Sequence, residues 1–324
     1  MMQEPSDGGY QPSAVIFMIF GALVFLGLLT MLYADGAMIY SPSQISVPIQ
    51  PYAFLLLLIF IAPFAVNALW VMAGLTVLYF IMFALVIYLG HGNRSKRMLE
   101  NPVSFIGMTI PFLYVVSVAI LLLENIAGVQ VGNPISTSSQ IDYLGLIYAP
   151  FVEEIGFRII PLGILVLAEA LFVLDTGRFG ENLGEFGTGS LLIGSFLYPG
   201  KLRRRLGIRM GRAEWAGIIL TAALFGYAHY YFGEWDIGKI SQAALVGVLL
   251  AIGFLEFGPF VDILMHWFFN GYFTFVEYLH GFAPVALADV NLVWLFLAGI
   301  ASLVYFGRWI MSRGKTSGEH DPLT

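Results

Sequence analysis

Residues 14–33, 52–89 and 103–123 contain no charged side chain at all. Runs of that length leave few folds open. The hydrocarbon core of a bilayer is about 30 Å thick, and about 20 apolar residues in a helix cross it. Inside it every backbone N–H and C=O must find a partner within protein, so spanning segments are helices or closed barrels. These runs are continuously apolar rather than alternating, which selects helices. Composition agrees: only 11% of the 324 residues are charged, where a soluble domain carries about 25%. The expected fold class is an all-α polytopic membrane protein. It reads as a single integral membrane domain over residues 1–324, multi-pass, and in a prokaryote placed in the plasma membrane. Membrane lipid is an expected partner. A net charge of −6 offers no basic surface for nucleic acid, and none is expected. The chain has no cysteine, which excludes disulfides and thiolate chemistry.

Further apolar runs lie at 141–174, 215–231, 240–255, 260–279 and 292–311. The 52–89 run is too long for one span. Pro63 and Asn67 mark a break if it holds two, and it is otherwise one tilted or re-entrant element. The count is therefore a bundle of eight or nine transmembrane helices. The 141–174 run is also long for one span, and Pro150 and Pro161 are expected to bend or restart it. Residues 1–11 carry Glu4 and Asp7 without a lysine or arginine, unlike the n-region of a signal peptide. All lysines and arginines but Arg158 and Lys239 fall at 94–97, at 178–212 or near the C-terminal end. The positive-inside rule makes those places cytoplasmic. Residues 175–212 thus read as one large basic cytoplasmic loop.

Within the 141–174 run stand Glu153, Glu154 and Arg158. A charge at mid-membrane costs at least a few kcal/mol, so ionisable groups there are ordinarily kept for function. Glu154 and Arg158 are spaced i,i+4 and can pair on one helix face. Glu153 is then turned roughly 100° away, given 3.6 residues per turn. One carboxylate can be neutralised locally while the other faces a cavity. A plain buried ion pair locking two helices is the structural alternative.

Two other apolar runs carry His229, and His266 with Asn270 one helical turn later; Asp262 stands four residues before His266. Glu153, His229, His266 and Asn270 have little else in the lipid phase to satisfy them and are expected to meet. A carboxylate and an imidazole flanking a water form a general base. A second imidazole and an amide can donate to the oxyanion of a tetrahedral intermediate. Glu153, His229 and His266 are equally a three-ligand set for catalytic zinc, although no His-Glu-x-x-His helix is present. A lone membrane histidine or asparagine is as often a packing residue.

The three segments together resemble a known family. Glu153-Glu154-x-x-x-Arg158, Phe225-x-x-x-His229 and His266-x-x-x-Asn270, in that order on separate helices, are similar to the type II CAAX prenyl endopeptidases and their prokaryotic relatives, the CPBP or Abi family. The resemblance covers about residues 141–280. It implies an intramembrane endopeptidase with a conical cavity in a helical bundle, acting on a peptide or prenylated protein and removing a C-terminal tripeptide in the CAAX case. It also implies that Glu153 and His229 activate the water, that His266 and Asn270 form the oxyanion site, and that Glu154 and Arg158 support the first motif. No cofactor is favoured. Zinc stays open, with Glu153, His229 and His266 as its ligands. Two other classes stay open as well: a transporter or proton relay built on the buried Glu/His set, and a non-catalytic membrane scaffold or immunity factor.

Lys201, Arg203, Arg204, Arg205, Arg209 and Arg212 alternate with Leu202, Leu206, Ile208 and Met210, a pattern suited to the surface of an anionic leaflet. Cysteines substituted at Lys201 and Arg209 should resist a membrane-impermeant thiol reagent added to intact cells and react after permeabilisation. Labelling of intact cells would invert the topology.

Overall fold

The computed structural model describes residues 12–40, 46–92, 101–132, 140–175, 187–232, 235–279 and 285–316. Helix α1 is Pro12–Tyr40. Four short strands follow, β1 (Pro48–Ile49), β2 (Tyr52–Leu55), β3 (Leu58–Ile61) and β4 (Val66–Asn67). Then come α2 (Ala68–Gly92), α3 (Pro102–Ile126) and α4 (Gln140–Glu154), which runs through a π-helical turn at Ile155–Ile159 into α5 (Ile160–Asp175). The remaining helices are α6 (Thr188–Leu197), α7 (Pro199–Arg205), α8 (Arg212–Tyr231), α9 (Lys239–Phe257), α10 (Pro259–Leu279) and α11 (Val285–Thr316).

Five helical segments among the described residues are long and apolar enough to cross a membrane: Val15–Tyr33, Ala68–His91, Pro102–Ile126, Asp142–Asp175 and Lys239–Phe257. Helix α8 is not one of them, because Glu214, His229 and three tyrosines dilute its apolar character. The side chains at 273–292 lie outside the described residues, and with them the ends of the runs at 260–279 and 292–311.

Residues 46–67 depart from the all-helical expectation. Residues 52–61 form a β-hairpin, with Tyr52 opposite Ile61 and Leu55 opposite Leu58, and β1 pairs with β4 around it. Only the part after Asn67 is helical, so 52–89 is not two helices. Its tip, Leu56, adopts φ 51°, a left-handed conformation that costs a side-chain-bearing residue roughly 1–2 kcal/mol. The tip is held from outside: the Leu56 N–H donates to the Gly156 carbonyl at 3.4 Å, and Tyr148 Oη accepts from the Tyr52 N–H at 3.2 Å while donating to the Tyr52 carbonyl at 2.5 Å.

The 141–174 run does bend, but at neither proline alone. Pro150 sits inside α4. The break is the π turn just before Pro161, where the Ile160 N–H reaches back to the Ile155 carbonyl. Pro161 has no N–H to offer the residue four positions earlier, and the widened turn absorbs that loss.

The main core is built from α1, α2, α3, α4, α9 and α10, with Trp267 stacked on Tyr79 at 4.1 Å. A second cluster seats α6 and α7 against α5 and the end of α9. The described part of the basic 175–212 segment is therefore not an open loop. Residues 188–205 form two packed helices, and Arg203 is buried against Glu214 at 3.1 Å. Lys201, Arg204 and Arg205 remain exposed. Residues 176–186 lie outside the described part.

Gly156 is where the hairpin meets the bent helix. A Cβ placed there would lie 2.4 Å from the Phe54 carbonyl oxygen, so only glycine allows this approach. Gly156→Val should cost about 1–3 kcal/mol through overpacking, read as a lower thermal midpoint in detergent, whereas Gly145→Ala, with open space beside it, should leave the midpoint unchanged.

Candidate active site

Three elements bring the motif residues together: the end of α4 with its π turn, the last turns of α8, and the middle of α10. Glu154, Arg158 and Asp262 are fully buried and His266 is 1% exposed. The Arg158 guanidinium donates from Nη1 to Glu154 Oε1 at 3.0 Å, so the i,i+4 pairing read from the spacing is present. Gly247 on α9 makes room for it; a Cβ there would lie 2.8 Å from Arg158 Nη2. On its other side the guanidinium sits 3.9 Å above the Phe225 ring.

The second carboxylate, Glu153, faces a cavity while Glu154 stays with Arg158. Both acids converge on one imidazole: His266 Nδ1 is 2.6 Å from Glu154 Oε1, and His266 Nε2 is 3.5 Å from Glu153 Oε2. Because Glu154 already accepts from Arg158 it is ionised, so Nδ1 carries the proton and donates. Neutral His266 then presents the lone pair of Nε2 to Glu153. Asp262, one turn earlier on α10, lies against Glu154 and accepts the Ile263 N–H at 2.8 Å.

His229 is fixed in the same sense. Its Nδ1 lies 2.9 Å from the Phe225 carbonyl, which can only accept, so Nδ1 donates and Nε2 carries the lone pair. The Phe225 ring stands edge-on to both imidazoles, 4.8 Å from His229 and 5.6 Å from His266. The first residue of Phe225-x-x-x-His229 is thus a spacer between the two histidines and a platform for Arg158, a role that sequence reading had not assigned.

Glu153 and His229 wall a small open cavity with Phe54, Phe157, Phe225, Ala228 and Phe232. Phe54 comes from the β-hairpin, which nothing in the sequence marked as part of the site. His266 lies behind Glu153 rather than on the wall. Asn270 is half-buried one turn further along α10 and is not among the side chains that wall the cavity.

The expected zinc set can be tested on these positions. Among the described residues no three His, Asp or Glu side chains gather in a way that could hold a metal ion. Glu153, His229 and His266 as placed do not form a ligand shell, and no step below passes through a metal.

Five helical segments long and apolar enough to cross a membrane, with a carboxylate–imidazole cluster beside a small cavity, define an integral membrane protein with a buried polar site. Residues 142–272 match the family model described as Type II CAAX prenyl endopeptidase Rce1-like, so this stretch is an Rce1-like domain. The match spans less than half of the chain, but it contains all three motifs. It implies a CAAX-type intramembrane protease with a prenylated peptide or protein as substrate. No curated protein and no solved structure matches the chain.

Arg158 should be structural first. Removing one partner of a buried ion pair costs about 3–5 kcal/mol. Arg158→Ala should therefore lower the yield of folded protein in detergent as well as any activity. Unchanged thermal stability with lost activity would move Arg158 into the chemistry.

Proposed function

We propose that the chain is an intramembrane endopeptidase in which Glu153 and His229 activate a water held in the cavity. The observation that carries this reading is the pair of carboxylates on one imidazole, with Glu153 alone reaching the cavity wall. Glu154, neutralised by Arg158 and hydrogen-bonded to His266, fixes the imidazole. Glu153, 16% exposed, is the acid a substrate can approach.

In this mechanism the water oxygen attacks the scissile carbonyl carbon and Glu153 takes its proton. His229 Nε2 accepts the second hydrogen bond of the same water and orients it. The C–O bond forms and the carbonyl oxygen becomes an oxyanion. His266 Nε2 begins as a lone pair, so it cannot donate until it gains a proton; Glu153, 3.5 Å away, is the group that hands one over. Protonated His266 stabilises the oxyanion with the Asn270 amide and then gives its proton to the leaving nitrogen as the C–N bond breaks. The products are a carboxylic acid and a free amine, and Glu153 returns to its ionised form. For this, substrate entry past Glu153 brings the carbonyl to both His266 and Asn270, neither of which is on the cavity wall in this structure.

The substrate class that fits is a peptide near the C-terminus of a prenylated protein, cut to release a C-terminal tripeptide. The apolar cavity wall suits the isoprenoid end of such a substrate. We read the element order as eight membrane passes, with residues 52–61 as a re-entrant hairpin and the N-terminus on the side of the basic segments. The cavity lies towards the His229 end of α8, opposite those segments. With the basic segments cytoplasmic, the mouth faces outward, whereas a cytosolic prenylated protein requires a cytoplasmic mouth. The labelling experiment on Lys201 and Arg209 decides between a CAAX substrate with inverted topology and an extracytoplasmic peptide.

Glu153→Gln should reduce turnover of a farnesylated CAAX peptide by about 10²–10⁴-fold, the usual contribution of a general base, without changing the thermal midpoint. Turnover should survive chelation and dialysis. Stoichiometric zinc, with activity lost on its removal and restored by zinc alone, would reassign His229 and His266 as ligands.

A further inference from the structure

Lys239 is, besides Arg158, the lysine or arginine that falls outside the three basic places, and the proposed mechanism does not use it. It is the first residue of α9, directly after the connection that leaves the His229 end of α8. Its ammonium sits 3.9 Å above the Trp235 ring. The Trp235 N–H donates to the His229 carbonyl at 3.3 Å, and the same connection is stitched to residues 130–131 by the Asp236 N–H on the Val131 carbonyl and the Gly238 N–H on the Gln130 carbonyl. The ring and the ammonium are therefore built onto the end of the helix that supplies His229.

Two structural explanations compete for this lysine. The first is that it neutralises Glu124. Glu124 accepts from Ser241 Oγ at 2.5 Å through Oε1 and from Gln242 Nε2 at 2.9 Å through Oε2. These neutral donors leave its charge in place, and Lys239 feels it, so this explanation accounts for part of the lysine's role. The second is that it only tunes the acid–base pair. The charge of Lys239 is felt by Glu153, His229 and His266, so that effect exists. But a cation held over Trp235, on the connection that leaves the His229 end of α8, also offers an anion a place that Glu153 itself repels.

We infer that Lys239, held over Trp235, receives the C-terminal carboxylate of the substrate peptide and thereby sets how far from the chain end the cut falls. The inference rests on the endopeptidase reading above. Extended peptide advances about 3.3–3.6 Å per residue. A carboxylate bound at the start of α9 therefore leaves only a few residues between the chain end and the bond facing Glu153. An ammonium with three donors accepts a carboxylate from several angles, and the aromatic face under it holds the charge in place without cancelling it.

The test uses the full-length protein in detergent with a farnesylated peptide carrying a free C-terminal carboxylate and the same peptide as its C-terminal amide. The native protein should favour the acid in kcat/KM by at least about tenfold, the worth of one hydrogen bond to a charged group. Lys239→Met should bring that ratio to near one through a higher KM for the acid, and Lys239→Arg should restore most of it. Equal cleavage of acid and amide by the native protein would overturn the inference. So would a Lys239→Met variant that loses kcat on both peptides alike, which is the mark of tuning alone. If neither peptide is cut, equilibrium binding of the two decides: acid-selective binding that Lys239→Met abolishes keeps the anchor and overturns the endopeptidase reading, while unselective binding overturns the anchor.

Discussion

The buried ion pair of Glu154 with Arg158 is the interaction on which the rest of this site depends. Neither group touches solvent, and a lone buried charge would cost more than the local packing returns. Paired, they become a fixed internal reference. The same oxygen of Glu154, Oε1, that accepts from Arg158 also holds His266 by Nδ1, which sets the tautomer and aims Nε2 at Glu153. Arg158 has a face left to lie on Phe225, which in turn separates the two imidazoles. Gly247 is small so that the guanidinium fits. Each of these arrangements fails if the first pair is removed.

The π turn at Ile155–Ile159 follows from the same crowding. Two adjacent carboxylates on a regular helix diverge by about 100°, yet here both reach one histidine. The turn directly after Glu154 is widened, Pro161 withholds the next N–H, and the hairpin backbone lies against Gly156. The strain at Leu56 belongs to this contact as well, since its N–H is bound to the Gly156 carbonyl. The hairpin is thus part of the cavity and not a surface decoration: it supplies Phe54 to the wall and fixes the bent segment from outside.

The two histidines are held by different means with the same result. A carboxylate holds Nδ1 of His266, and a backbone carbonyl one turn back in its own helix holds Nδ1 of His229. In both cases Nε2 is left as an acceptor. A site of two acceptor nitrogens beside one reachable carboxylate suits the removal of protons from water, and it makes proton return to the leaving group dependent on Glu153.

The sequence by itself determined the membrane class and the Glu154–Arg158 pair, and it marked Glu153, His229 and His266 as polar groups in apolar runs, because charge-free runs and i,i+4 spacing are local properties of the chain. It also marked Lys239 as misplaced among the basic residues, without saying why. What only the tertiary structure decided came from contacts between segments far apart in the chain. The hairpin at 52–61 was hidden because a continuous apolar run has no period to separate strand from helix. The convergence of Glu153 and Glu154 on His266, the place of Phe225 between two imidazoles and the packing of the basic segment as helices α6 and α7 all depend on how helices meet. Spacing within one helix fixes which side chains share a face; only the packing of the others fixes what that face meets.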